Sequence, residues 1–468
     1  MNKIVKSLEE ALKLAGIKNG QTISFHHHLR NGDYVLNMTM DIIEKMGVNN
    51  LTVNASSIFD IQAETISNCI NKKIITKLQC NYMSKQLGRK IVDGILECPV
   101  EFRTHGGRAS DMQKGIIPVD IAIIASPTSD NMGNISGKYG ISACGSLGYA
   151  FADATYAKKV IVVTDNLVPY PLTDYSIPEI YIDYVVKVDS IGDPSGIVSG
   201  TTQITRDPVG LIMAKTAANV IKGSGLLKDG FSFQTGAGGA SLAAAKYLKE
   251  IMLKEKIQGS FGLGGITSYM VDMLKCGLFK TLFDVQCFDL GAVESIRLDP
   301  RHKEVSAMHY AGPYSKSAIV DSLDVVILGA TEIDTNFNVN VHTDSNGCII
   351  GGSGGHSDTA KGAKMSMIIA PLVRARLPIV SDEVACISTK GEDIDVLITQ
   401  YGVAINKKNK ELKEKLLDSN INIVDIQDLK KKAEEICGTP KPYKSSGRVV
   451  AKVFGRDGDV ISTINALK

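Results

Sequence analysis

Residues 324–330 (DVVILGA) and 367–370 (MIIA) are short apolar runs with no polar alternate position, the pattern of strands buried on both faces of a parallel sheet. Between them, residues 350–364 (IGGSGGHSDTAKGAK) lead from a glycine turn into a small-residue segment, predicted to begin a helix over 359–364. Gly351, Gly352, Gly354 and Gly355 leave this backbone free for φ > 0 and for close approach to a ligand, with main-chain N–H groups turned toward an anion. Strand, glycine turn, helix and strand make a βαβ unit, whose ligands sit at the carboxyl ends of the strands.

The same order of features occurs twice. Lys18-Asn19-Gly20 precedes a strand predicted at 22–25, and Lys228-Asp229-Gly230 precedes one at 231–234. DIAIIASPTSD at 120–130 then matches DVVILGATEID at 324–334, and CGSLGYAFADATYAKKVIVV at 144–163 takes the place of 350–369. Helices follow each first strand: Val35, Met38, Ile42 and Ile43 share one face of 34–45, and Leu242, Ala245, Leu248 and Ile251 one face of 241–252. The reading is a duplicated α/β architecture with a boundary near 205–223. Residues 168–178 (VPYPLTDYSIP) form an ordered connection with turn chemistry, 409–437 a charged helical outer cover, and 449–454 with 460–464 an antiparallel hairpin that closes the second half.

At 468 residues the chain is long enough for two or three domains, and 52 basic residues against 50 acidic ones speak against a nucleic-acid partner. Forty-four glycines, no tryptophan and few aromatics suit a turn-rich α/β enzyme better than an all-β sandwich. Nine cysteines without a CxxC pair read as reduced thiols in a cytoplasmic protein. The first sixteen residues carry Glu9 and Glu10 inside an i/i+3/i+4 apolar pattern, an amphipathic helix and not a signal peptide, and no run reaches membrane-spanning length.

Four glycine-bearing loops hold the candidate chemistry: 24–33 (SFHHHLRNGD), 102–108 (FRTHGGR), 234–239 (QTGAGG) and 351–358 (GGSGGHSD), with GLGG at 262–265. Together they suggest a site lined by backbone donors, as an oxyanion requires. Ser353 fits G-x-S-x-G, but a triad histidine must follow its nucleophile at a distance and His356 is the last histidine, three residues on. His26 and His28 would share a face of an extended strand with His27 pointing away, and no acidic or cysteine partner stands at metal-ligand spacing, so no metal is expected. Arg30, followed by Asn31 and Gly32, offers a carboxylate fork beside imidazoles. His105 with Arg108 repeats that chemistry, although Arg103 and Arg108 read equally as surface residues. A substrate with several carboxylates fits two such Arg-His loops.

At these residues the chain resembles the alpha subunits of citrate lyase, citrate CoA-transferases of the CoA-transferase superfamily. The similarity runs from about Ser7 to the C-terminus through SFHHHLRNGDYV, HGGRA, CGSLGYA, VTDNLVPYP, DYVVKVDSIGDP, FSFQTGAGGASLA, FGLGGITS, FDVQCFDL, NFNVNV and GGHSDTAKGAK. It implies an α/β fold of two tandem Rossmann-like CoA-transferase domains with mostly parallel sheets, 1–215 and 216–468, the second carrying the C-terminal hairpin. It implies exchange of acetyl for citryl on an acyl-carrier thioester in an oligomeric complex, with beta (citryl-carrier lyase) and gamma (acyl carrier) subunits as partners. No cofactor would be permanently bound, the CoA-type prosthetic group being supplied by the carrier. Relatives often have a longer leader, whose lack here is expected to alter leader contacts and not the chemistry. Many related CoA-transferases use a glutamate in a Ser-Glu-Asn-Gly segment as covalent acyl acceptor. The comparable residues 259–265 (GSFGLGG) hold no acid, so a direct mixed-anhydride route is expected. Gln400 sits where an acid is common among relatives, and either lines the pocket or packs at the core edge. Chemistry assigns substrate binding to His26, His28, Arg30, Asn31, His105, Arg108, Gln234, Thr235 and His356. The catalytic amides are assigned to Gly236, Gly238, Gly264, Gly265, Gly354 and Gly355. The alternative is a CoA-transferase or thioester hydrolase for another carboxylic acid.

Overall fold

Thr22–Phe25, Ile121–Ala125, Val325–Leu328 and Met365–Ile369 are strands with nearly every residue buried, as runs without polar alternation demand of central strands covered on both faces. The computed structural model describes residues 3–198, 203–236, 238–417, 419–440 and 445–467. Two large sheets dominate. Seven neighbouring strands of the first run in the order Tyr184–Lys187, Lys159–Thr164, Ile121–Ala125, Thr22–Phe25, Leu51–Ala55, Ile75–Cys80, Val100–Phe102, all parallel. Seven strands of the second follow the equivalent order, Val396–Thr399, Met365–Ile369, Val325–Leu328, Ser232–Thr235, Gly259–Ile266, Phe279–Cys287, His302–Glu304, also parallel. The repeat of features along the chain is therefore a repeat of sheet order.

In each sheet the order reverses at equivalent places, between Thr22–Phe25 and Ile121–Ala125 and between Ser232–Thr235 and Val325–Leu328. Crevices outside the carboxyl ends of strands at such reversals are where α/β sheets hold ligands. The loops carrying His26–Arg30 and Gly236–Gly238 leave the sheets at these two places, Ala237 lying outside the described residues.

Two expectations need correction. The hairpin, Ser445–Phe454 with Val460–Leu467, does not close the second half: Ala451–Val453 pairs in parallel with Val100–Phe102 and extends the first sheet to ten strands. The place is fixed by packing that no local pattern encodes, including the Arg103 guanidinium 4.3 Å from the Phe454 ring centroid. The helix after the glycine turn spans His356–Gly362, starting three residues earlier than predicted. The cover at 409–437 consists of helices Lys410–Leu417 and Ile426–Cys437, and all nine cysteines are free. No helix of the described residues is long and apolar enough to cross a membrane.

Candidate active site

The glycine loops of the two halves meet. The His105 amide donates to the Gly354 carbonyl at 2.9 Å, and the Gly106 amide to Asp358 Oδ2 at 2.9 Å. The Gly354 amide reaches the Asn81 carbonyl at 3.3 Å and the Met83 amide the Gly351 carbonyl at 3.4 Å. On the other flank, Gln286 Nε2 donates to the His27 carbonyl at 3.1 Å while its Oε1 lies 3.1 Å from His27 Nε2. Ser146 Oγ donates to the Asp284 carbonyl at 2.9 Å, so the CGSLGYA loop also rests on the second sheet. Such close backbone approach needs glycine. A Cβ on Gly106 would stand 2.1 Å from the Ala311 carbonyl oxygen, and one on Gly352 would stand 2.2 Å from that of Asn81.

The strand Thr22–Phe25 stops before the three histidines, so they are not in extended alternation, yet His26 and His28 do face each other with Nδ1 atoms 2.5 Å apart. The Tyr149 amide donates to His28 Nε2 at 3.3 Å. His28 must then carry its proton on Nδ1 and give it to His26 Nδ1. His27 turns the other way, to Ser56 Oγ at 2.5 Å and to Gln286, and its ring stacks on Tyr149 at 4.6 Å between centroids. His105 packs on the same tyrosine at 4.4 Å. Burial disfavours the charged rings: His26 is lowered to about 4, His105 to about 3, and His27 and His28 well below the ordinary value. The imidazole floor is neutral at physiological pH.

Arg30 supplies the positive charge. It sits in the left-handed region at φ 53°, in a turn whose Gly32 packs against the backbone of Asp193 and Gly196. Its guanidinium lies 5.3 Å from the Phe59 ring centroid and 5.1 Å from that of Phe288, and Nη1 makes a long 3.3 Å bond to the Ile197 carbonyl. It forms no ion pair with any described carboxylate. Asn31 beside it is exposed. Arg108 differs from the expectation: Nη1 and Nη2 hold Asp153 at 3.0 and 2.7 Å, and Nε holds Asn54 Oδ1 at 2.5 Å, so its fork is occupied inside the first half. Arg103 is likewise paired, with Asp111 and Glu101.

From the second half, Gln234 Nε2 donates to the Tyr310 hydroxyl at 3.0 Å, and Thr235 Oγ1 to the Gly236 carbonyl at 3.2 Å. Gly264 has φ 110°, and a Cβ there would stand 2.7 Å from the Gln234 side chain. A Cβ on Gly265 would enter the Phe288 ring at 2.2 Å, and one on Gly355 would meet the Tyr310 hydroxyl at 2.6 Å. Two of the proposed oxyanion amides are already engaged, Gly236 with the Ile327 carbonyl at 2.9 Å and Gly354 with Asn81. Those of Gly238 and Gly355 meet no acceptor among the described residues. Both ring nitrogens of His356 are taken, Nδ1 by Thr389 Oγ1 at 2.8 Å and Nε2 by the Gly329 carbonyl at 2.9 Å, which makes it a strut of the second half. Gln400 Oε1 accepts from the Leu372 amide at 2.9 Å. Ser353 is buried and its hydroxyl has no partner. Among the described residues no three histidines, cysteines or carboxylates gather to hold a metal. Sequence reasoning gave no role to Tyr149, Phe59, Phe288, Gln286 or Tyr310. Tyr149 and Gln286 lay inside the motifs CGSLGYA and FDVQCFDL, which were the available signal.

The profile of the family described as "Citrate lyase, alpha subunit" matches residues 1–467. The chain belongs to this family. It is 44% identical over 466 residues to the citrate lyase alpha chain of Escherichia coli, covering 100% of this chain and 91% of that one. It is 45% identical to that of Haemophilus influenzae, covering 93% of the latter. A solved alpha subunit of citrate lyase from Streptococcus mutans, in complex with citrate, superposes with a TM-score of 0.98 at 44% identity, covering 100% of this chain and 92% of that one. A Pseudomonas malonate decarboxylase complex with malonate shares the fold alone, with a TM-score of 0.70 at 16% identity over 93% of this chain and 88% of that one. As a citrate lyase alpha subunit the chain is an enzymatic component, a citrate CoA-transferase, of a multi-subunit complex.

The buried histidines set an acid limit on stability. An unfolded chain protonates them near 6.5, whereas the folded protein resists until about 4 at His26 and His356 and about 3 at His105 and His342. The stability they contribute is full above 6.5 and lost as pH falls through those folded values. Burial raises Asp33 to about 7 and Asp358 to about 6, which acts oppositely by favouring the fold as pH falls toward 3.8. The histidines outnumber them, so Tm should fall steadily from pH 6.5 to pH 4.5. A scanning-calorimetry series showing a flat or rising Tm would contradict neutral imidazoles.

Proposed function

We infer that the cleft between the two sheets exchanges acetyl for citryl on an acyl-carrier thioester: acetyl-carrier and citrate give citryl-carrier and acetate. The observation that carries this reading is Arg30, a cation without a carboxylate partner among the described residues, placed where loops from both halves meet beside a neutral imidazole floor. A polycarboxylate supplies the missing counter-charge, and the Streptococcus mutans relative was solved with citrate. Citrate binding rests on Arg30, with Asn31 at the rim, and Arg108, His356 and Gln234 hold the walls. Two Rossmann-like lobes, 1–215 and 216–468, accompany this reading, with the hairpin exchanged onto the first.

A citrate carboxylate oxygen attacks the acetyl thioester carbonyl, the C–S bond breaks, and the thiolate departs from a citric–acetic anhydride. The thiolate then attacks the citryl carbonyl and acetate leaves. Holding both partners in one pocket can supply roughly 7–11 kcal/mol of the barrier, and one oxyanion donor about 3–4 kcal/mol. The amide of Gly355 suits that donor's role, at the start of a helix whose N-terminal end favours negative charge. The carrier's CoA-type arm is a substrate supplied by the gamma subunit. The beta subunit would cleave the product.

Acetate release from acetyl-carrier should require citrate, and equal release without citrate would identify a thioester hydrolase instead. Hydroxylamine or borohydride added to enzyme with acetyl-carrier should label no carboxylate of this chain. A labelled glutamate or aspartate would replace the anhydride with a covalent acyl-enzyme.

A further inference from the structure

Buried phenols normally find a hydrogen-bond partner, and this protein otherwise follows the rule: the Tyr310 hydroxyl is held by Gln234. Tyr149 is the exception. Its ring is only 4% exposed and is fixed by three imidazoles, with centroids at 4.6 Å from His27, 5.4 Å from His28 and 4.4 Å from His105. Its backbone is tied as well, through the bond from its amide to His28. Yet its hydroxyl has no hydrogen-bond partner among the described residues, and it is not wholly shut off from solvent. The little of Tyr149 that solvent reaches therefore includes the hydroxyl, at the edge of a cage built to hold the ring still.

The charge balance of the cleft says what such a hydroxyl is for. A tricarboxylate brings three negative groups, whereas Arg30 is a cation with no carboxylate partner among the described residues and the imidazoles of His26, His27, His28 and His105 are uncharged. The remaining carboxylate oxygens need neutral donors. Phe59 links the parts: it lies 5.3 Å from the Arg30 guanidinium and 5.8 Å from the His27 ring, which in turn stacks on Tyr149. Burial raises the phenol well above its ordinary value, so it keeps its proton and acts only as a donor toward an anion.

We propose that the Tyr149 hydroxyl is a substrate-binding donor, hydrogen-bonding a carboxylate oxygen of the same tricarboxylic acid that pairs with Arg30. This rests on the citrate reading above. It assigns a second, uncharged contact that fixes orientation as well as affinity. A carboxylate held by a neutral donor keeps more of its nucleophilic charge than one clamped by a guanidinium, so the Tyr149 contact also favours the group that must attack.

The test is calorimetric titration of the whole protein with citrate, comparing wild type, Tyr149→Phe and Tyr314→Phe. The last removes an exposed phenol stacked beside Lys114, whose hydroxyl donates to the Asp457 carbonyl and touches none of the residues assigned to citrate. Tyr149→Phe keeps the ring stack and should weaken citrate about 10–100-fold, the range for one hydrogen bond to a charged group, while Tyr314→Phe binds like wild type. Fluorotyrosine at position 149 should show a fluorine resonance that shifts on citrate addition, a readout that does not depend on a destabilised variant. If wild type binds citrate and Tyr149→Phe binds within twofold of it, with no fluorine shift, the assignment is overturned and the citrate reading stands. If wild type fails to bind citrate, the reading falls and the assignment with it.

Discussion

Arg30→Ala should raise the citrate concentration needed for half-maximal exchange about 100-fold, with kcat changed far less. The guanidinium has no carboxylate partner among the described residues, so its fork is available to the ligand. Stacking between Phe59 and Phe288 also holds the fork in place before citrate arrives. A hydrogen bond to a charged group contributes about 1.5–3 kcal/mol, and tenfold in affinity corresponds to about 1.4 kcal/mol, so losing a bidentate pair reaches two decades. Lysine should recover little, because a point charge on a flexible stem neither forks nor stacks. The contrast is Arg108→Ala, which strands buried Asp153 and should appear as lowered Tm in the first half. Steady-state kinetics with citrate varied decides the matter: an unchanged requirement in Arg30→Ala removes the residue from the site.

Gly352→Ala should abolish most exchange while leaving the chain folded. The added methyl would stand 2.2 Å from the Asn81 carbonyl oxygen and 2.7 Å from the Tyr82 Cα, both backbone of the opposite half. Neither can rotate away, so the glycine loop must retreat from the first half. Overpacking of this kind costs about 1–3 kcal/mol in stability. Activity should suffer more, because the same retreat disturbs the bond between His105 and Gly354, and a 1 Å misplacement can cost about 100-fold in rate. Gly329→Ala is the stability control, since a methyl there meets no atom within 4 Å. Parallel melting curves and turnover numbers would refute the wedge if Gly352→Ala stayed within threefold of wild type.

Much of the fold was legible because its signals are local. Unbroken apolar runs such as 121–125 and 325–328 declare strands buried on both sides, and their repeated order along the chain foretold the repeated order in the sheets. What local pattern omits is which distant edge a strand joins. The alternation at 449–454 and 460–464 announces a hairpin but says nothing of Val100–Phe102, more than three hundred residues earlier. The site divides the same way. Arg30 and Arg108 both follow a histidine near glycine, and only the fold reveals that Asp153 occupies one while no described carboxylate pairs with the other. The histidines were read as an extended strand, whereas the strand stops at Phe25 and frees His27 to reach Gln286 across the cleft. Tyr149 was invisible as chemistry because a phenol's use depends on what its hydroxyl lacks.

The placement of the final hairpin bears on how the molecule comes into being. Until residues 445–467 leave the ribosome, the amino-terminal sheet presents Val100–Phe102 as an uncapped edge, open to pairing with another nascent chain. Completion of this sheet thus waits for a segment made more than three hundred residues later. Cleavage at residue 215, with the two pieces produced separately, would yield an amino-terminal piece prone to self-association until the other piece delivers its tail.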